Sequence, residues 1–159
     1  MKNYRKGSWE YIGRTTYKQS SNGNFIIGSQ SNTSGTTNDP IFQTQRIGIE
    51  AFKADVPNGN YSVYLYFAEL KNNKLQPKSA FYNLENDVIA TSIGKRAFDI
   101  LINGKNVSDH INIARNHGIT QAVIIKFIIE TDHNEGINIT FNAIQNSPIL
   151  NAVRIYRNY

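Results

Sequence analysis

The sequence predicts an all-β chain folded as a sandwich or jelly roll, and three observations predict it. Apolar and polar residues alternate with a period of two, most clearly where Tyr61, Val63, Leu65 and Phe67 interleave with Ser62, Tyr64, Tyr66 and Ala68. Gly- and Asn-rich turns punctuate such runs at roughly the 8–12-residue spacing of sandwiches. No segment sustains an apolar spacing of 3.6 residues beyond a turn or two.

Trp9 to Tyr17 mixes aromatic and polar residues around Gly13 and reads as the first strand. Lys18 to Asn24 reads as a polar turn, and Phe25-Ile26-Ile27 as a short apolar run ending at Gly28. Ser29 to Asp39 has no apolar anchor and reads as a loop, after which Pro40 restarts ordered chain. Phe42 to Phe52 reads as a strand. Pro57-Asn58-Gly59-Asn60 then predicts a tight hairpin, because Asn-Gly adopts the positive φ angles such turns need. The clearest strand follows, with one face for the core and Tyr64 and Tyr66 on the other. Glu69 to Lys95 is longer than most connections in a compact domain, which marks it as functional or mobile. Ala97 to Ile102 reads as a strand closed by Asn103-Gly104, with Val107 continuing the pairing. Ile111 to Ile119 is a polar connection that fits no one element. Ala122 to Glu130 is apolar except near Lys126, which predicts a strand buried on both faces. Thr131 to Gly136 is a turn, Ile137, Ile139 and Phe141 alternate with polar residues, and Pro148 opens the last strand, Ile149 to Tyr156.

A chain of 159 residues suits one domain, residues 1–159. That size buries roughly 70% of the surface of its unfolded chain, so folding needs no metal or disulfide. There is no cysteine, and the redox compartment goes unread. The net charge of +5 raises the question of an anionic partner, but the basic residues are dispersed apart from Lys2, Arg5 and Lys6 at the start and Lys71, Lys74 and Lys78 in the long connection. No nucleic-acid partner is expected. No stretch approaches the ~20 apolar residues of a membrane span, and Met1 to Glu10 lacks the apolar core of a signal peptide, so no membrane partner is expected either. Asparagine is abundant enough to produce the N-x-S/T triplets at Asn32, Asn60, Asn106 and Asn138 by chance.

Catalytic chemistry finds little to work with. His110, His117 and His133 fall in predicted loops or turns, without metal-ligand spacing, and no cofactor or metal site is expected. Nucleophile-elbow, P-loop and dinucleotide motifs are missing. Asp39, Glu50, Glu69, Asp87 and Asp99 are the carboxylates a glycosidase would draw on, but nothing in their spacing pairs two of them. Asp99, in mid-strand, reads as a structural acid bonded to backbone. No catalytic residue is expected. Aromatics are the positive signal: Tyr17, Phe42, Tyr66, Phe81 and Tyr82 lie in or beside turns. Sugar rings carry apolar C–H faces that stack on aromatic rings, while amides, Asp and Arg hydrogen-bond their hydroxyls. For any one aromatic, packing of a loop onto the sandwich is the competing reading.

Four runs resemble malectin-type domains, in that family's order. They are Asp39-Pro40-Ile41-Phe42-Gln43-Thr44-Gln45-Arg46; Val56-Pro57-Asn58-Gly59-Asn60-Tyr61 with Tyr66-Phe67-Ala68-Glu69; Arg96-Ala97-Phe98-Asp99 through Ile102-Asn103-Gly104; and Pro148-Ile149-Leu150-Asn151-Ala152-Val153. Trp9-Glu10-Tyr11-Ile12-Gly13, the run from Ile47 to Phe52, and Phe81-Tyr82-Asn83-Leu84 resemble one subgroup: the carbohydrate-binding modules of family 57 at the C-terminal end of bacterial family 2 glycoside hydrolases of the β-galactosidase type. The resemblance implies a jelly-roll, galactose-binding-like β-sandwich whose loops bind an oligosaccharide or polysaccharide. It implies a parent glycosidase that is periplasmic or secreted, with this domain as one part of it. By position, the implied sugar contacts are Phe25 or Tyr17 on the early loop, Phe42 and Arg46, Phe81 and Tyr82 in the expanded loop, and Asn146 at the family's acid position. One aromatic position of the family falls on Ile47.

Three functions compete at this stage. A sugar-binding accessory module calls for exposed loop aromatics near amides. A structural module that packs on the parent catalytic domain, its sugar binding lost, calls for an apolar patch on a sandwich face. An autonomous hydrolase calls for two carboxyl groups within roughly 5–10 Å in a cleft.

Overall fold

The computed structural model describes residues 7–16, 18–21, 24–29, 31–70 and 96–159; within 14–27 it describes backbone only. The described elements run β1 (Trp9–Thr16), β2 (Lys18–Ser21), β3 (Asn24–Ile27), α1 (Asp39–Gln43), β4 (Arg46–Ala54), β5 (Gly59–Phe67), β6 (Ala97–Ile102), β7 (Lys105–Ile111), α2 (Ile113–His117), β8 (Val123–Thr131), β9 (Ile137–Gln145), β10 (Ile149–Leu150) and β11 (Ala152–Asn158). The larger sheet has the order β1-β4-β9-β6-β7, with β10 also paired to β4. The smaller has the order β11-β5-β8, and β2-β3 form a separate hairpin. All the strand pairs are antiparallel. This is the predicted all-β sandwich.

Alternation within strands builds the core. Val63, Leu65 and Phe67 of β5 face Ile49 and Phe52 of β4, Phe98 and Ile100 of β6, and Ile139 and Phe141 of β9. Each fully buried side chain of this kind stabilises the fold by about 1.5–3 kcal/mol. The β6–β7 hairpin forms as its dipeptide predicts: Asn103 and Gly104 hold φ of 49° and 75°, the two positive angles of the tight turn that matches strand twist.

Five expectations are corrected. Lys18 to Ser21 is a strand rather than a turn. The segment from Asp39 to Gln43 is helical, with Pro40 in the first turn where its missing N–H leaves no bond unmade, and the following strand begins at Arg46. Pro57 to Asn60 makes no hairpin, since β4 and β5 lie in different sheets. Asn58 instead braces the crossing: its Oδ1 accepts from Asn134 N at 2.9 Å and its carbonyl from Arg157 Nη2 at 3.1 Å. β8 is an edge strand, buried on one face only; Ile124, Lys126, Ile128 and Glu130 point outward, and Ile128 is 72% exposed. The last strand breaks at Asn151, so that β10 joins the larger sheet and β11 the smaller.

Candidate functional site

The C-terminal end of β5 and the start of β4 lie at one end of the sandwich, where the sequence places its sugar contacts. β5 runs into Ala68, Glu69 and Leu70, all buried. The Glu69 carboxylate accepts two bonds from Arg96 Nε, at 2.9 Å to Oε2 and 3.3 Å to Oε1. Arg96 Nη1 also donates to the carbonyl of Ser147, between β9 and β10. The described chain on either side of residues 71–95 is thus joined by one ion pair, and the β9–β10 turn is tied to it. Burial pushes the Glu69 carboxyl above its ordinary pKa, and the Arg96 charge and hydrogen bond act against that shift.

Beneath this ion pair, Asn151 locks the sheet-to-sheet corner. Its Nδ2 donates to the carbonyls of Phe42 and Thr44 at 2.9 and 2.8 Å, and its Oδ1 accepts from Ala68 N at 2.8 Å. Gln45, buried alongside, donates from Nε2 to Ala68 O at 2.5 Å and to Asn151 Oδ1 at 3.3 Å. Both residues lie in the malectin-like runs, but the sequence assigns neither a role, because their partners are 23 to 109 residues away.

The predicted contacts divide. Asn146 is exposed beside the Arg96-bound Ser147, with φ of 57° turning its amide at the tip of the β9–β10 turn. Arg46 is exposed at the start of β4, its guanidinium 5.5 Å from the centre of the Tyr11 ring. Phe42 is a correction: it is 1% exposed and packs on Tyr66 with ring centres 5.9 Å apart, so it offers no face to a ligand. The α1 turn points it inward, where a strand would have let it alternate outward. Ile47, half-buried, pairs with Thr15 and Ile149 and packs against both core clusters. Phe25 lies in β3, its side chain outside the described residues; Tyr17, Phe81 and Tyr82 lie outside them altogether.

The described carboxylates are engaged separately. Asp39 accepts from Thr33 N at 3.0 Å, and Asp99 from His110 N at 2.7 Å, the backbone-bonded role expected of it. Glu69 is held by Arg96, Glu50 is exposed, and Asp87 lies outside the described residues. Asp99, Asp109 and His110 bring potential ligand atoms within 4.8 Å of one another at the β6–β7 surface. His110 is the end of a strand rather than a loop residue.

Comparison with known proteins agrees with this architecture. The malectin-domain family model matches residues 2–153. A Bacteroides uniformis β-glucuronidase superposes with a TM-score of 0.72 at 26% identity, over 99% of this chain and 15% of that one. The extracellular domain of ANXUR1 from Arabidopsis thaliana superposes at 0.60 with 16% identity, over 92% of this chain and 40% of that one. A plant receptor-like kinase, FER, superposes at 0.57 with 15% identity, over 91% and 40%. The likeness to the two receptors is one of fold. No curated protein matches the sequence. The chain thus spans a small part of each of these larger proteins, and with a family match over nearly its whole length it belongs to the malectin-domain family.

Proposed function

We propose that this domain is a non-catalytic carbohydrate-binding accessory module of a larger, secreted or periplasmic glycoside hydrolase, and that it holds oligosaccharide at the loop end around Asn146, Arg46, Phe81 and Tyr82. The observation that carries this reading is the β-glucuronidase match: 99% of this chain overlays 15% of a glycoside hydrolase. An exposed amide and an exposed guanidinium at the end of the sandwich that bears the long connection supply the hydrogen-bonding half of a sugar site. The aromatics of that connection supply the stacking half. A shallow site of this kind binds weakly alone and gains through effective concentration once tethered to a catalytic domain. The parent is proposed to be a family 2 glycosidase, of the β-galactosidase type or a related one.

Glycan-array screening followed by calorimetry tests this reading. Tyr82→Ala should weaken the bound glycan about tenfold or more with an unchanged melting temperature. Silence across plant and host polysaccharides would sink the reading.

One observation favours the structural alternative, in which the domain packs on its parent and binds no sugar. Ile124 and Ile128 stand on the outer face of the three-stranded sheet at 52% and 72% exposure, with Tyr156 on the same face. Lys126 and Arg154 lie over the Tyr64 and Tyr156 rings there, at 5.5 and 4.4 Å. Such a face fits a protein surface better than a sugar, because the cations cover the rings.

A further inference from the structure

The far end of the sandwich carries a second feature, which the family resemblance does not assign. Among the described strands β1 and β11 are the outer ones of their respective sheets, and a gap lies between them. The gap is a cleft of about 370 Å3, inside the range of about 300–1,000 Å3 of small-ligand sites. Trp9 stands at its mouth, 63% exposed. One face of its indole is backed by Phe52, stacked at 6.2 Å and 25°, and Tyr11 meets it edge-on at 5.4 Å and 77°. Among the described residues none is stacked on the other face, and the ring is already held in position, so little ordering cost remains for a ligand.

The polar groups of the cleft are few and of one kind. Asp55 is its only charged lining residue among those described. The Ser8 hydroxyl, also in the lining, is buried and has no hydrogen-bond partner among the described residues. An aromatic platform beside a carboxylate suits a sugar ring: C–H bonds on the negative face of the indole, hydroxyls donating to Asp55. Among the described lining residues Asp55 alone is charged, so a uronic acid carboxylate set beside it would meet like charge, while the Arg46 guanidinium stands over the Tyr11 ring. The cationic face around Lys126 and Arg154 lies on a different surface.

We infer that the Trp9–Asp55 cleft is a second glycan subsite, with Asp55 favouring neutral sugar rings, toward the end of the sandwich opposite Asn146. Within β5 the cleft is lined by Tyr61, roughly 20 Å at 3.4 Å per residue from Phe67 at the loop end. This inference rests on the sugar-binding reading above and adds to it a location and a ligand class.

Trp9 is the chain's only tryptophan, so its emission reports on this cleft and not on the loop end. Cellotetraose, maltotetraose and a β-galactotetraose serve as neutral probes, and a glucuronate-terminated tetrasaccharide as the acidic one. At least one neutral probe should shift or quench Trp9 emission saturably, and the acidic probe should not at the same concentration. By calorimetry, Trp9→Ala should weaken that neutral probe at least tenfold with an unchanged melting temperature, and Asp55→Asn should admit the acidic probe. Neutral binding that leaves Trp9 emission unmoved and survives Trp9→Ala would overturn the subsite while sparing the loop-end reading. No binding of any probe or array glycan would overturn both. Emission that follows protein concentration instead of sugar would make the cleft a contact between copies of the chain, and would also overturn it.

Discussion

Arg96 donates its Nε–H to the Glu69 carboxylate at 2.9 Å, and these two residues flank the connection that carries Phe81 and Tyr82. The pair joins the two described flanks of that connection, and through Ser147 it reaches the turn that carries Asn146.

Arg96→Met should destabilise the domain by about 3–5 kcal/mol at neutral pH, since it leaves a carboxylate buried without its partner. The pH dependence gives a second readout. The folded-state pKa of Glu69 is raised, chiefly by burial, so the native state binds the proton more tightly than the unfolded chain. That contribution is complete below the ordinary carboxylate pKa of about 4.5 and is lost as pH rises through the folded value. Arg96→Met, which removes the opposing charge, should steepen the fall in stability above pH 4.5, and Glu69→Gln should flatten it. Urea titrations across pH 4–8 check both slopes.

Asn151→Ala should cost at least about 3 kcal/mol, because the Phe42 and Thr44 carbonyls and the Ala68 N–H lose their partner together. Asn151→Asp is expected to fare no better. It keeps the acceptor for Ala68 but sets a carboxylate oxygen against two carbonyls. Thermal melts of the two variants, compared with wild type, decide the point.

Gly13 and Gly104 both have positive φ, of 98° and 75°, yet alanine should act on them very differently. A Cβ on Gly13 would lie 2.6 Å from Glu50 N across the β1–β4 bulge, while one on Gly104 meets nothing within 4 Å. Gly104→Ala should therefore cost only the left-handed backbone penalty, about 1–2 kcal/mol. Gly13→Ala adds a backbone collision and should reach the roughly 4–5 kcal/mol tail of point mutants. Chemical denaturation of each variant measures the difference.

Ile124→Lys with Ile128→Lys should leave the isolated domain within about 0.5 kcal/mol of wild type, as both side chains already stand in solvent. If the sheet face packs on a parent enzyme, the same double variant in the full-length chain should split this domain off as a separate, earlier calorimetric transition. An unchanged single transition would count against packing through this face.

What the sequence determined by itself was local or periodic. Alternation named the strands and the inward set Val63, Leu65 and Phe67, because a period of two is a property of the strand and needs no partner to be read. Asn103-Gly104 specified its hairpin because both positive φ angles belong to the two residues themselves. The order of the motif runs placed the chain in its family, and with it the end of the sandwich where Asn146 and Arg46 stand exposed. Tertiary structure decided what depends on a partner distant in the chain. Alternation says that a residue faces inward but not into which sheet its strand is hydrogen-bonded, so Asn58-Gly59 reads as a hairpin and is a crossing. The same blindness hides the break at Asn151, whose amide serves backbone groups as far away as Phe42, and the burial of Phe42 on Tyr66. It also hides the outward half of β8, since an apolar run looks buried until its strand is found at a sheet edge. Trp9 sits in the first predicted strand, but its exposure at a cleft appears only once β1 and β11 prove to be, among the described strands, the outer ones of two facing sheets.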